Sequence, residues 1–192
     1  MFIKPFISKK AALREMYRGA RRRAARARPD AARHAARVFV SEIALPDGAV
    51  VALYFPINDE LDTEPLAAAL VEKGVAIALP VTQGKKKPLL FRRYAPGDAL
   101  VPGAYGEQTP GETAEAVTPA IVVAPLLAFT RKGDRLGYGG GYYDRTLEAL
   151  RRDGAVLAVG YAYGAQEVDA LPPDPLDERL DWVVTERAAH RC

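Results

Sequence analysis

From Thr130 to Asp144 the chain reads Thr-Arg-Lys-Gly-Asp-Arg-Leu-Gly-Tyr-Gly-Gly-Gly-Tyr-Tyr-Asp, with five glycines, three cations and three tyrosines. Lacking Cβ atoms, the glycines let backbone N–H groups approach a polyphosphate closely, while Arg131, Lys132 and Arg135 supply opposite charge. Gly139, Gly140 and Gly141 are more than a tight turn requires, and adjacent glycines cost entropy on folding. Asp144 can either cap a helix N-terminus or hold Mg2+ on bound phosphates. The spacing fits neither the Walker A pattern nor the dinucleotide fingerprint.

Two ordinary elements must carry this stretch. Ala120–Ala124 is an unbroken apolar run rich in β-branched residues, the pattern of a strand buried on both faces. Residues 142–152 place Tyr143, Leu147 and Leu150 at helical spacing. Strand, glycine-rich turn and helix together aim backbone N–H groups and a helix N-terminus at an anion.

The remaining elements follow from periodicity and breakers. Ser8 is a plausible cap for a first helix whose apolar stripe is Leu13, Met16, Ala20 and Ala24, with Lys10, Arg14 and Arg18 stacked four apart beside it. After Pro29-Asp30 a second helix runs from about Ala31 to Leu45. Strands are expected at 50–55, 75–79, 89–94, 155–160 and 182–185, with Gly84–Lys87 as a hairpin tip and a Thr63-capped helix through Leu70. Residues 95–119 read as a long Pro- and Gly-rich loop containing Tyr105, and residues 171–177 as irregular. Strands alternating with helices predict an α/β fold, an open and mostly parallel sheet with helices on both faces, in a single domain. Ligands of such sheets bind beyond the carboxyl ends of the strands, so the acidic loop 56–63 and the glycine motif should open on one edge.

The composition, 49% hydrophobic and 27% charged over 192 residues, is that of a globular protein without a membrane-spanning run or a secretory signal, and a cytoplasmic location is expected. A single cysteine, Cys192, excludes an intramolecular disulfide and a cysteine metal site. The net charge of +3 hides an asymmetry: residues 1–40 hold twelve Lys or Arg against two acids, leaving −7 for the remainder. Such a segment can bind nucleic acid, an acidic membrane surface or the phosphates of a small ligand. No recognised nucleic-acid module accompanies it. The two histidines, His34 in a basic helix and His190 in an expected frayed tail, offer no triad or metal cluster. Phosphoryl transfer needs neither, because positioning and charge neutralisation provide most of the catalysis.

Residues 125–129, Pro-Leu-Leu-Ala-Phe, followed by Gly133–Asp144, resemble the signature of the 5-formyltetrahydrofolate cyclo-ligases, also called 5,10-methenyltetrahydrofolate synthetases. The resemblance extends to Lys10-Ala-Ala-Leu-Arg14, to Tyr54–Glu60 and to the ending Asp177–Glu186. It implies ATP-driven closure of 5-formyltetrahydrofolate to 5,10-methenyltetrahydrofolate through an N5 iminium phosphate, with ATP and Mg2+ required and the chain acting as a monomer. It further implies that Lys10, Arg14, Arg135, Leu136, Gly137, Tyr138, Gly139, Gly140, Gly141, Tyr142 and Tyr143 bind ATP, Arg135 and Tyr143 also being catalytic. Asp144 and Asp177 match Mg2+ ligands, and Phe55, Glu60 and Tyr105 match folate-binding positions, Tyr105 on a loop that serves as a lid. Thr130 departs from the aspartate common in the family, Gly140 from a lysine found in some members, and Leu176 from a histidine frequent in bacterial ones. A protein sharing the fold and nucleotide site but acting on another substrate is the alternative within this class, and a nucleic-acid-binding protein the alternative outside it.

Overall fold

The computed structural model describes residues 9–192, so Ser8 and its expected cap lie outside the described residues. The chain order is α1 (Lys9–Ala27), α2 (Ala31–Glu42), β1 (Val50–Ala52), α3 (Glu64–Glu72), β2 (Ala76–Thr82), β3 (Leu89–Tyr94), β4 (Leu100–Pro102), β5 (Gln108–Pro110), β6 (Ala116–Val117), β7 (Ile121–Ala124), β8 (Ala128–Phe129), β9 (Arg135–Leu136), α4 (Tyr142–Asp153), β10 (Leu157–Tyr161), β11 (Trp182–Val184) and β12 (Ala189–Arg191). A sheet of eight strands runs in the order β12-β11-β10-β7-β1-β2-β3-β6. The five strands from β11 to β2 are mutually parallel, while β12, β3 and β6 are antiparallel to their neighbours at the margins. The expected α/β architecture is the observed one.

Side-chain alternation along the strands divides the core in two. Val51, Leu53, Ile77, Leu79, Ile121, Val123 and Val159 point to the face covered by α1, α2 and α3, where Phe39, Leu66 and Leu70 are completely buried. Ala52, Ala78, Val122, Ala124 and Ala158 point to the other face and meet Leu147 of α4. The small residues on that face leave little room between sheet and motif: a Cβ on Gly160 would lie 2.6 Å from Leu180 Cδ1 and 2.8 Å from Leu126 Cδ2.

Several local expectations change. Met16 is exposed, so α1 turns its half-buried Leu13, Tyr17 and Ala20, and buried Ala24, inward only loosely. The Thr63 hydroxyl does not cap α3; it donates to the Tyr54 carbonyl at 2.7 Å, and the first helical N–H, of Glu64, is taken by Asp62 Oδ1 at 2.9 Å. Residues 95–119 are not one loop, because β4 and β5 pair as a hairpin and β6 adds to the sheet edge. His190 is not in a frayed tail; it lies on β12 and pairs with Val183 of β11. Among the described residues no helix is long and apolar enough to cross a membrane.

Candidate functional site

β1 is flanked by β2 on one side and β7 on the other, although β7 follows β2 in sequence. The chain therefore changes direction between β1 and β7, the switch point at which open α/β sheets bind ligands beyond their strands' carboxyl ends. The loop after β1 and the motif after β7 do open there together. They border a cleft of about 1190 Å3, lined also by α1, the β4–β5 hairpin and residues 174–178. Single-ligand pockets are commonly about 300 to 1,000 Å3, so this cleft lies just above the usual single-ligand range.

The motif itself begins with a hairpin, β8 paired to β9, that its sequence did not announce. Thr130 explains the turn: its hydroxyl donates to Asp134 Oδ2 at 2.8 Å and accepts from the N–H groups of Lys132 and Asp134 at 3.3 Å each. A threonine hydroxyl thus organises the turn away from the cleft. Gly133 is tied to the same turn, since a Cβ there would stand 2.4 Å from the Leu180 carbonyl oxygen. Arg131 and Lys132 do not serve the cleft as expected; both are exposed, and Arg131 pairs with Glu167 at 2.6 Å.

Arg135, on β9, does reach it. Its buried guanidinium donates through Nη2 to Asp144 Oδ1 at 2.5 Å and lies 5.7 Å from the centre of the Tyr143 ring. Leu136 is buried behind it, and Gly137 offers its carbonyl to Arg14 Nε at 3.0 Å. Gly139 and Gly141 hold φ of 96° and 65°, and a Cβ would come within 2.9 Å of Arg14 Cζ at the first and 2.6 Å of Arg145 Nη1 at the second. The glycines therefore admit two guanidinium groups as well as bare backbone. Arg145 also donates to the Gly140 carbonyl at 2.8 Å and stacks 5.2 Å from the Tyr142 ring. Burial, with the charge of Glu60 adding, pushes the Tyr143 phenol well up, so it stays protonated at neutral pH.

α1 lays Lys10, Arg14, Arg18, Arg21 and Arg22 along the cleft. Lys10 Nζ is 2.6 Å from Asp174 Oδ2 and 3.4 Å from Asp177 Oδ2. Burial works to lower the Lys10 pKa, but the hydrogen bond to Asp174 and the charges of both aspartates outweigh it, and the ammonium is held above its usual range. The Asp177 carboxyl is pushed up by burial, opposed by Lys10 and reinforced by the nearby charge of Asp144. Asp144 and Asp177 are thus two hard oxygen donors that feel each other, a chemistry suited to Mg2+. Among the described residues no cluster of three or more His, Cys, Asp or Glu side chains surrounds a metal position. Two carboxylates suffice for Mg2+ only when phosphate oxygens and water complete the octahedron, as in nucleotide sites.

In the loop after β1, Phe55 is half-buried and Glu60 buried to 7% exposure. Glu60 Oε2 accepts the Ile57 N–H at 2.9 Å, and Asn58 takes a left-handed φ of 54° to close that turn. Burial pushes the Glu60 carboxyl up, while the Ile57 N–H, Tyr138 and Arg21 pull against it. Tyr105, at the tip of the β4–β5 hairpin, is exposed, and its hydroxyl lies 2.6 Å from that of Tyr142. Every residue to which the family resemblance assigned a site role lines the cleft, whereas Arg131 and Lys132 do not. Sequence reading missed Asp174, Arg21 and Arg145; only Arg21 carried a signal, lying eleven residues after Lys10 on the same helical face.

Comparison with known proteins follows the same outline. Residues 6–186 match the model of the 5-formyltetrahydrofolate cyclo-ligase family. The chain is 37% identical over 135 residues to the 5-formyltetrahydrofolate cyclo-ligase of Haemophilus influenzae, covering 68% of this chain and 72% of that one. Identity with the Escherichia coli K12 cyclo-ligase is 37% over 140 residues, covering 70% and 76%. The solved structure of Aquifex aeolicus 5,10-methenyltetrahydrofolate synthetase superimposes with a TM-score of 0.69 at 30% identity, over 92% of each chain.

Proposed function

Because this chain belongs to the 5-formyltetrahydrofolate cyclo-ligase family, we propose that it converts 5-formyltetrahydrofolate and ATP to 5,10-methenyltetrahydrofolate, ADP and phosphate, as a monomeric, cytoplasmic enzyme of one domain. The observation that carries this reading is a single cleft to which two unlike loops contribute. The motif after β7, with α1, offers Arg135, Arg14 and the glycine backbone for a polyphosphate; the loop after β1 offers a buried carboxylate, Glu60, and the aromatic Phe55 for a ring system.

In the reaction the formyl oxygen attacks the γ-phosphorus of ATP and the bond to ADP breaks, leaving an iminium phosphate at N5. N10 of the same folate adds to the activated carbon; phosphate departs with the carbon–oxygen bond's electrons, and the N10 proton is lost. Arg135 and the Gly139–Gly141 backbone orient the triphosphate and offset charge as it moves from γ-phosphate to ADP. Lys10 and Arg14 hold the phosphates from α1. The raised Tyr143 phenol keeps its proton as a neutral donor. Asp144 and Asp177 would hold Mg2+, which when bound supplies further charge neutralisation on the phosphates. The Tyr105–Tyr142 contact joins the hairpin to the glycine loop over the cleft and limits entry of water to the intermediate.

The test is direct: the protein with ATP, Mg2+ and 5-formyltetrahydrofolate should generate the near-ultraviolet absorbance of the methenyl product. A flat trace, where a known cyclo-ligase gives product, overturns the reading.

A further inference from the structure

Arg21 carries more hydrogen-bonding capacity than the fold uses. Halfway along α1, it is buried to 2% exposure, with Nη1 3.6 Å from Glu60 Oε1. At that separation charge acts but no hydrogen bond forms. Arg21 Nε and Nη1, Glu60 Oε1 and the Tyr138 hydroxyl are all buried without a hydrogen-bond partner. The Tyr138 hydroxyl lies beside both groups, so that burial first and then the charge of Glu60 push its phenol up, with Arg21 opposing. The Arg21 guanidinium also lies 5.3 Å from the centre of the Tyr138 ring, which locates it without engaging its N–H groups.

Burying an ion pair without satisfying its donors and acceptors costs several kcal/mol, and apolar residues of similar volume usually do better as structural struts. The rest of the arginine run does not share this burial: Arg22 and Arg23 are exposed, Arg22 pairing with Asp59 at 3.3 Å. Arg21, Glu60 and Tyr138 all line the cleft. Side by side they present N–H donors, a carboxylate acceptor and a hydroxyl. The complement of that set is a planar ring edge with an N–H next to a C=O, a cyclic amide.

On the cyclo-ligase reading, the substrate has such an edge in the 4-carbonyl and N3–H of its pterin. We propose that Arg21 is a substrate-recognition residue, its guanidinium donating to the pterin 4-carbonyl while Glu60 Oε1 accepts from the adjacent N–H. Tyr138 closes the set from the glycine loop, so seating the pterin also steadies the phosphate wall.

The deciding experiment compares the reduced folate with its 4-amino counterpart, in which the carbonyl acceptor is replaced by a donor. A site built to hydrogen-bond one group rejects its opposite strongly, and the wild-type protein should bind the 4-oxo form at least about thirtyfold more tightly. Arg21→Leu should raise KM for 5-formyltetrahydrofolate about tenfold or more, leave KM for ATP within about twofold, and shrink the 4-oxo preference about tenfold. Equal wild-type affinity for the two forms overturns the proposal, as does an Arg21→Leu protein that weakens both ligands alike and keeps the preference. Because the 4-amino form also lacks the N3 hydrogen that Glu60 would accept, the assignment to Arg21 needs a variant: should Arg21→Leu not fold, Arg21→Lys, which keeps the charge and loses the planar donor fork, is measured in its place and should likewise shrink the 4-oxo preference, an unchanged preference overturning the proposal. A wild-type protein that binds the folate but yields no methenyl product sinks the cyclo-ligase reading instead, leaving the carbonyl contact to be judged by the binding ratio.

Discussion

The hydroxyl of Tyr105 meets the hydroxyl of Tyr142 at 2.6 Å, with the two rings edge to face and their centres 5.7 Å apart. One tyrosine belongs to the β4–β5 hairpin and the other to the first turn of α4, so the contact ties the hairpin to the end of the glycine motif. Removing either hydroxyl should raise KM for 5-formyltetrahydrofolate by about two- to tenfold, the usual worth of one exposed hydrogen bond. Steady-state kinetics of Tyr105→Phe, Tyr142→Phe and the double variant check it. The double variant should lose no more than either single one; additive losses would mean that the two hydroxyls act separately.

Asp144 and Asp177 should separate by stability and not by activity. Either change to asparagine is expected to lower Mg2+-dependent turnover by about a hundredfold or more. Asp144→Asn also takes the carboxylate from Arg135, whose side chain is only 5% exposed, and a guanidinium left buried without its charge partner is destabilising. Thermal melts should therefore show a clear loss of Tm for Asp144→Asn and almost none for Asp177→Asn, whose carboxyl is more exposed. Matching melting curves with unequal turnover would reverse the assignment.

Two glycines of one motif should fail differently. Gly139→Ala places a Cβ against the flexible end of Arg14 at a φ of 96°, which should weaken ATP binding about tenfold with a modest loss of stability. Gly133→Ala would drive a Cβ into the Leu180 backbone, which has no room to give, and should cost stability first. Nucleotide titration and thermal melts of both proteins give the contrast; a Gly139→Ala protein with wild-type ATP affinity would remove that glycine from the phosphate site.

Glu60 sets a pH limb. In the proposed role its ionised carboxylate accepts an N–H from substrate, and burial raises its pKa above the ordinary glutamate value. Lowering the pH protonates it, so kcat/KM for the folate should fall on the acid side, with a midpoint above the usual glutamate range. Glu60→Gln should abolish that limb while reducing folate affinity at every pH. A limb that persists in the variant belongs to another group.

The parallel centre of the sheet was legible because buried strands are continuous apolar runs, as in Ile121–Ala124. The margins were not. Ala189–Arg191 carries no apolar pattern and becomes a strand only because β11 offers it an edge. Two-residue strands such as β8 and β9 are too short to show a period, and their pairing depends on the Thr130 turn. Within the site, residues drawn from a recognisable motif were found by sequence, whereas Arg21 looked like any member of its arginine run until packing buried it alone. Asp174 lay in a proline-rich segment whose partner, Lys10, is 164 residues away.

That distance has a consequence for the birth of the enzyme. The motif and β1 can meet once residue 144 has been made, but Lys10 must wait for Asp174 and Asp177, some thirty residues later. Strand β11 and the antiparallel β12 that covers it come later still. A nascent chain that has passed the glycine motif but not Asp177 thus holds its glycine loop beside a helix whose Lys10 still lacks both aspartates, and the cleft is complete only once residues 174–178 have followed.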